Sequence, residues 1–277
     1  MHLKTVIALV LAAGSTTLTN VAYLREHDAA AAMPLLSMRR PLHSLHLLLS
    51  NRSWLVGFAM ETSGFLLYAA ALALASLALV QSVAAGGIGV LAFVSARVSG
   101  RRLGRPQLIG VSLSIGGLFA LAVSLAHSSG EGTGGSTAAI LAWIGGTAGL
   151  ALLALWIGRY TGQRAVGLGL AGGLLFSVGD FSTKLATQGG ARFAFVITLI
   201  VGYTLGTSLL QLGYQRGAAL TVAGLATLLT NAMPIAAGTI VLREPVPSGV
   251  LGVLRILAFA AVTAGAILLA SPERQTS

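Results

Sequence analysis

The chain has 277 residues, 55% of them hydrophobic and only 9% charged, with a formal net charge of +10. A soluble domain carries about 25% charged residues, so composition excludes an ordinary water-soluble protein, and the mean hydropathy of +0.87 points to the membrane. The basic residues stand singly or in small groups beside apolar runs, with no basic stripe and no aromatic platform, which excludes nucleic-acid binding; cysteine is absent, which excludes disulfide and thiol chemistry.

Nine apolar runs follow one another: Lys4–Leu24, Trp54–Leu74, Ser76–Ala96, Gln107–Ala126, Ala138–Ile157, Ala165–Leu185, Phe193–Tyr214, Ala218–Leu242 and Gly249–Ala270. Each is near the roughly 20 residues a helix needs to cross a bilayer. Backbone groups in lipid must be satisfied internally, so the runs are expected as helices; the short alternating segments of a β-barrel are missing. The fold expected is an all-α polytopic membrane helix bundle. The first run has the charged flank and apolar core of a signal peptide (Lys4, then Val6–Ala13). No sharp cleavage pattern follows, and apolar character resumes to Leu24, so it is read as a span. Ala29–Ser50 is apolar enough for a tenth span, but Arg39, Arg40 and Pro41 stand at its centre, where charge is costly. It is read as an amphipathic cytoplasmic segment, within a loop at residues 25–53.

The arginines fall on alternate loops. Twelve of them (25, 39, 40, 52, 97, 101, 102, 105, 159, 164, 216 and 274) share one side, against Lys4, Arg192 and Arg243 on the other. The positive-inside rule then places the chain in the plasma (inner) membrane with its N-terminus outside and its C-terminus in the cytoplasm.

The runs also repeat. Four spans (residues 1–126) are followed by an outer loop and linker helix (127–164), four more spans (165–270) and a short cytoplasmic tail (271–277). Each half opens on a small-residue helix with polar residues near its end. Two closely spaced spans follow, then a short loop and a closing glycine-bearing span. Superposing the halves puts Gly64 on Gly206, Arg101 on Arg243 and Gly110 on Gly252. An odd number of crossings between equivalent helices makes the two four-helix repeats inverted, an architecture of many secondary transporters. The polar, glycine-rich stretch His127–Thr137 reads as a flexible outer hinge.

Few ionisable groups fall inside the runs, and each is a candidate for binding substrate or a proton. Glu61 lies about 10 Å from the cytoplasmic end of the second span. Asp180 and Lys184, four residues apart, share one helix face. Arg255, at a depth like that of Asp180, either pairs with it or faces an anionic substrate. The buried amides Asn20, Gln81, Gln211 and Asn231, with Gln215, suit a polar ligand. Each candidate has a structural alternative: a neutralised carboxyl at Glu61, an Asp180–Lys184 ion pair, or amides tying helices together. Pro234 is expected to kink the eighth span beside Asn231. Trp143 and Tyr203 are deep enough to line a cavity, with packing as the plainer role.

The chain resembles the drug/metabolite transporter superfamily in its EamA-like branch. The resemblance rests on Gly173-Leu-Leu-Phe-Ser-Val-Gly-Asp-Phe-Ser-Thr-Lys184, the helix pair Gly64–Arg97 with Ala78-Leu-Val-Gln81, and the loop-to-span units Gly100–Gly117 and Arg243–Gly252. Glu244 matches a glutamate that often precedes the last span of a repeat in that family; the first half has Arg102 there. The family pattern of five helices per half is reduced here, with the second helix shrunken to residues 29–50 and to Thr187–Arg192. Nine spans are similar to the NIPA-like magnesium-transporter branch.

The resulting expectation is a secondary transporter or exporter of small polar or amphipathic solutes, working by alternating access, with proton coupling through Glu61 or Asp180. Two rivals stand beside it: a NIPA-like divalent-cation transporter, and a non-transporting membrane scaffold. Membrane lipid, a small-molecule or ion substrate and a second copy of the chain are the partners admitted. No nucleophile motif, phosphate loop or metal-ligand cluster occurs, and the string Gly86-Gly-Ile-Gly89 lies in a span with no strand before it. The expectation is therefore no enzyme, no cofactor and no metal site.

Overall fold

The computed structural model describes residues 3–37, 39–84, 86–87, 89, 105–125, 134–217, 219–244 and 249–270. Among these, every regular element is helical. The elements are α1 (Leu3–Ala31), α2 (Pro41–Ser50), α3 (Arg52–Leu74), α4 (Leu77–Ala84), α5 (Arg105–Leu125), α6 (Thr137–Tyr160), α7 (Arg164–Thr187), a 3-10 turn (Gly190–Phe195), α8 (Val196–Tyr214), α9 (Ala219–Ile240) and α10 (Val250–Ala270).

Six helical segments among the described residues are long and apolar enough to cross a membrane: Leu3–Ala31, Arg52–Leu74, Thr137–Tyr160, Arg164–Thr187, Gly190–Tyr214 and Thr221–Ile240. They correspond to the first, second, fifth, sixth, seventh and eighth apolar runs. Helices α5 and α10 cover the fourth and ninth runs, but their apolar stretches, Leu108–Gly117 and Val250–Gly265, are shorter. Of the third run, α4 is seen to Ala84, and most of the remainder lies outside the described residues. Arg97, Arg101, Arg102, most of the hinge at 127–137 and the tail at 271–277 also lie outside them.

Two boundaries differ from the sequence reading. Helix α1 does not stop at Leu24 but runs on through Arg25-Glu-His-Asp to Ala31. The alanines that follow the charges are strong helix formers, and Glu26 finds a buried polar partner there. The helix in the following segment, α2, has only 10 residues, opens with Pro41 at its first turn and buries none of its side chains fully. That length cannot cross a bilayer. Between α1 and α2 the chain is held by Gln215: its Oε1 accepts from Leu36 N at 2.8 Å, and its Nε2 donates to Ala30 O at 3.0 Å and Pro34 O at 3.1 Å. Asn51 then caps α3, its side chain accepting from Trp54 N at 3.0 Å.

Small residues set the packing. Helices α1 and α3 run antiparallel, with Gly57 against Ala22 and Glu26 and Gly64 against Ser15 and Thr19. Gly158 of α6 meets Gly167 of α7, and Gly202 of α8 meets Leu175 and Gly179 of α7. Gly169 and Gly173 of α7 lie on Val222 and Ala226 of α9, so those two helices run parallel. Without a Cβ the backbones approach closely, which is how apolar helices associate where lipid supplies no hydrophobic drive. Helix α7 is the hub: 72% of its apolar window is buried, against 17% for α6. Elsewhere large apolar side chains face outward, including Leu152 and Trp156 of α6, Ile197 and Ile200 of α8, and Val253 and Ile256 of α10. That exterior suits lipid rather than water.

Most inter-helix contacts come in matched pairs when α1, α3, α4 and α5 are set against α7, α8, α9 and α10, the contact of α1 with α9 being the exception. The pairs α1·α3 and α7·α8 both pack, as do α1·α4 with α7·α9, α3·α4 with α8·α9, α4·α5 with α9·α10, and α1·α8 with α3·α7. The counterparts α4·α9 and α5·α10 touch each other.

Candidate functional site

A cavity of about 80 Å³ lies where α1, α3 and α4 meet α7, α8 and α9. Five of the predicted residues line it together: Asn20, Glu61 and Gln81 from the first half, Asp180 and Asn231 from the second. They are far apart in sequence, and their convergence is a property of the packing. Tyr23, Phe65, Tyr68, Phe176 and Tyr203 supply aromatic walls.

Asp180 is the most elaborately held group. Tyr203 donates its hydroxyl to Oδ1, Gln81 Nε2 donates to Oδ2 at 2.9 Å, and the Tyr68 hydroxyl reaches the same carboxylate. Gln81 Nε2 also donates to Tyr68 OH at 2.6 Å. Gly179 leaves the space for this arrangement, since a Cβ there would sit 2.7 Å from the Tyr203 ring. Tyr203 further packs on Phe65 and Phe176, with ring centroids 5.1 and 5.7 Å away. Its role is thus larger than packing, and Tyr68 is a buried wall residue rather than an interfacial aromatic.

Glu61 faces the cavity on one side and Glu26 on the other, its carboxyl within hydrogen-bonding reach of the Glu26 carboxyl. Glu26 is fully buried and accepts from Gln211 Nε2 at 2.5 Å. Gly57 makes room for it, as a Cβ there would meet Glu26 Cγ at 2.8 Å. Gln211 therefore stands behind the site, not in its wall. Glu26 was not among the sequence candidates, because its charged neighbours Arg25, His27 and Asp28 read as a loop. The signal that finds it is the polar helical face of Thr16, Thr19, Tyr23 and Glu26, at three- and four-residue spacing.

The other two candidates sit elsewhere. Lys184, one turn beyond Asp180, donates from Nζ to Leu72 O at 3.0 Å and Ala75 O at 2.9 Å, at the C-terminal end of α3. These late carbonyls lack helical partners, and a cation suits them. Arg255 donates from Nη2 to Thr239 Oγ1 at 3.0 Å and borders a separate pocket with Ile235, Ala236 and Phe259. The Asp180–Arg255 pairing expected from their similar depth is replaced by the Asp180–Tyr203–Gln81–Tyr68 network. Trp143 packs against the hydrophobic core around Leu72 and Leu185. Helix α9 continues through Pro234. Glu244, the family-like glutamate, is buried and accepts from Leu77 N at 2.9 Å, fixing the start of α4.

No family model matches the chain, and neither the curated proteins nor the solved structures include a match.

Proposed function

We propose that the protein is a secondary transporter of small polar or amphipathic solutes, operating by alternating access between two inverted four-helix halves. The observation that carries this reading is the cavity at the junction of the halves, into whose largely apolar lining Asn20, Glu61 and Gln81 are set from one half and Asp180 and Asn231 from the other. Transporter sites form at such repeat interfaces, and polar groups buried in a membrane bundle are expensive unless they serve a function. The five matched contact pairs support the repeat layout, since a pseudo-twofold relation pairs contacts between the halves. The arginine distribution supports the orientation with the N-terminus outside and the C-terminus in the cytoplasm of a plasma-membrane protein. The Glu26–Glu61 contact supports proton coupling, because two carboxyls can hydrogen-bond to each other only through a proton.

A divalent-cation reading has less support. Such ions prefer several free oxygen ligands, whereas three donors already occupy Asp180.

The natural absence of cysteine permits a direct test. Single variants Thr19→Cys and Thr230→Cys, both at cavity-lining positions, are labelled with a membrane-impermeant thiol reagent from either face of reconstituted vesicles. Alternating access predicts labelling from both faces, with locking in one state suppressing the other. A position reachable from neither face returns the protein to the scaffold reading.

A further inference from the structure

The cavity wall has an uneven hydrogen-bonding character. Its amide and hydroxyl protons are largely spent on the protein itself. Thr16 Oγ1 donates to Ala84 O at 2.8 Å, Thr230 Oγ1 to Gly173 O at 3.4 Å, and both Gln81 bonds and the Tyr203 hydroxyl go to the network around Asp180. Asn20 Nδ2 donates to Thr16 O at 2.8 Å, and Asn231 Nδ2 to Thr227 O at 2.6 Å. These two bonds fix which end of each amide is nitrogen, because only NH₂ can face a carbonyl oxygen. The oxygens are what remain. Among the described residues, Asn20 Oδ1, Glu61 Oε2, Thr227 Oγ1 and Asn231 Oδ1 are buried without a hydrogen-bond partner, and all four residues line the same cavity.

Buried polar atoms are rarely left unpaired, and each unmet one costs about 1–3 kcal/mol. Three of the four are obligate or available acceptors on amide or carboxyl groups, and the Thr227 hydroxyl can accept as well. A guest that satisfies them must bring donors. The ionisable side chains of the wall are Glu61, Asp180 and the tyrosines; Lys184 and Arg255 do not line it. The carboxyls are the only lining groups that carry charge near neutral pH, and both are acidic, so a positive guest is favoured over a negative one. Aromatic faces from Tyr23, Phe65 and Phe176 add attraction for a cation. The volume of about 80 Å³ is room for roughly two or three waters at about 30 Å³ each, and so for a guest of a few non-hydrogen atoms.

We infer that the cavity binds a small primary ammonium cation, whose N–H donors meet the acceptor wall of Asn20, Glu61, Thr227 and Asn231. This rests on the transporter reading only for its meaning as substrate; as a binding site it stands by itself. The test is calorimetric titration of the full-length chain in detergent with ethylammonium, tetramethylammonium, acetamide and acetate. Ethylammonium is expected to bind, with acetamide and acetate at least tenfold weaker. Tetramethylammonium, a cation without N–H donors, is expected to be weaker too. Asn231→Leu, Glu61→Gln and the near-isosteric Thr227→Val should each weaken ethylammonium by roughly tenfold, while Arg255→Gln leaves it unchanged. If Asn231→Leu fails to fold, Thr227→Val still decides. Equal or tighter binding of acetate or acetamide overturns the inference, and so does tetramethylammonium binding as tightly as ethylammonium. The two readings fail separately: ethylammonium binding with no two-sided thiol access removes transport and keeps the site, whereas two-sided access with no cation preference does the reverse.

Discussion

The contact between α7 and α9 should be intolerant of a single methyl group at Gly173. A Cβ placed there would lie 2.6 Å from Ala226 O, 2.7 Å from Ala226 Cα and 3.0 Å from Ala226 C. Carbon contacts are comfortable only from about 3.5 Å, so Gly173→Ala must push the two helices apart by roughly 1 Å. All three atoms are backbone, and no rotamer change relieves them. Overpacking of this kind costs about 1–3 kcal/mol, and replacing glycine by alanine inside a helix returns about 1 kcal/mol. With rigid neighbours the upper part of the cost applies, leaving a net loss of about 2 kcal/mol. Gly146→Ala is the control: a Cβ there meets nothing within 4 Å, so it should gain up to about 1 kcal/mol from propensity alone. Unfolding in mixed micelles by SDS titration, followed by circular dichroism, reads both. A Gly173→Ala protein as stable as the parent, beside a normally behaved Gly146→Ala, would refute the close parallel packing of α7 on α9. Since Phe176 on α7 and Thr227 on α9 both line the cavity, the same substitution should impair solute binding.

Further outcomes follow from the site. Tyr203→Phe removes a hydrogen bond to a carboxylate and keeps the ring packing, so it should cost about 1.5–3 kcal/mol; in a double-mutant cycle with Asp180→Asn most of that loss should disappear, and strictly additive losses would show that the two do not interact. Lys184→Met removes the donors to Leu72 O and Ala75 O and should destabilise by about 1–3 kcal/mol in the same SDS titration, with little change in cavity access by thiol labelling. Gln211→Leu takes away the donor to Glu26 and should slow proton-linked uptake into vesicles while leaving solute binding by calorimetry intact. Loss of binding itself would place Gln211 in the wall rather than behind it.

Much of this molecule follows from one-dimensional pattern. Long apolar runs in a chain with 9% charge fix helices, because an unpaired backbone in lipid is too costly and only local hydrogen bonds are independent of fold. Helix ends lie within a few residues of the ends of several runs, and the structure shows what sets them: the Asn51 cap before α3, and Gly189, whose φ of 74° turns the chain out of α7. The end of α1 was not. Arg25, Glu26, His27 and Asp28 look like a loop in sequence, and only the partner Gln211 and the space beside Gly57 let the helix carry a buried carboxyl onward. Depth along a span was equally readable, and the structure brings five of the residues it singled out, Asn20, Glu61, Gln81, Asp180 and Asn231, around one cavity. Depth does not specify rotation about the helix axis or the neighbour across it. Arg255 and Asp180 lie at similar depth yet border different cavities, and Lys184 shares a face with Asp180 yet turns to the end of α3. The sequence thus determined helices, their approximate ends and a short roster of polar groups. Glycine-mediated helix packing decided which of those groups share a cavity, which hydrogen bonds consume their donors, and which oxygens are left without a partner.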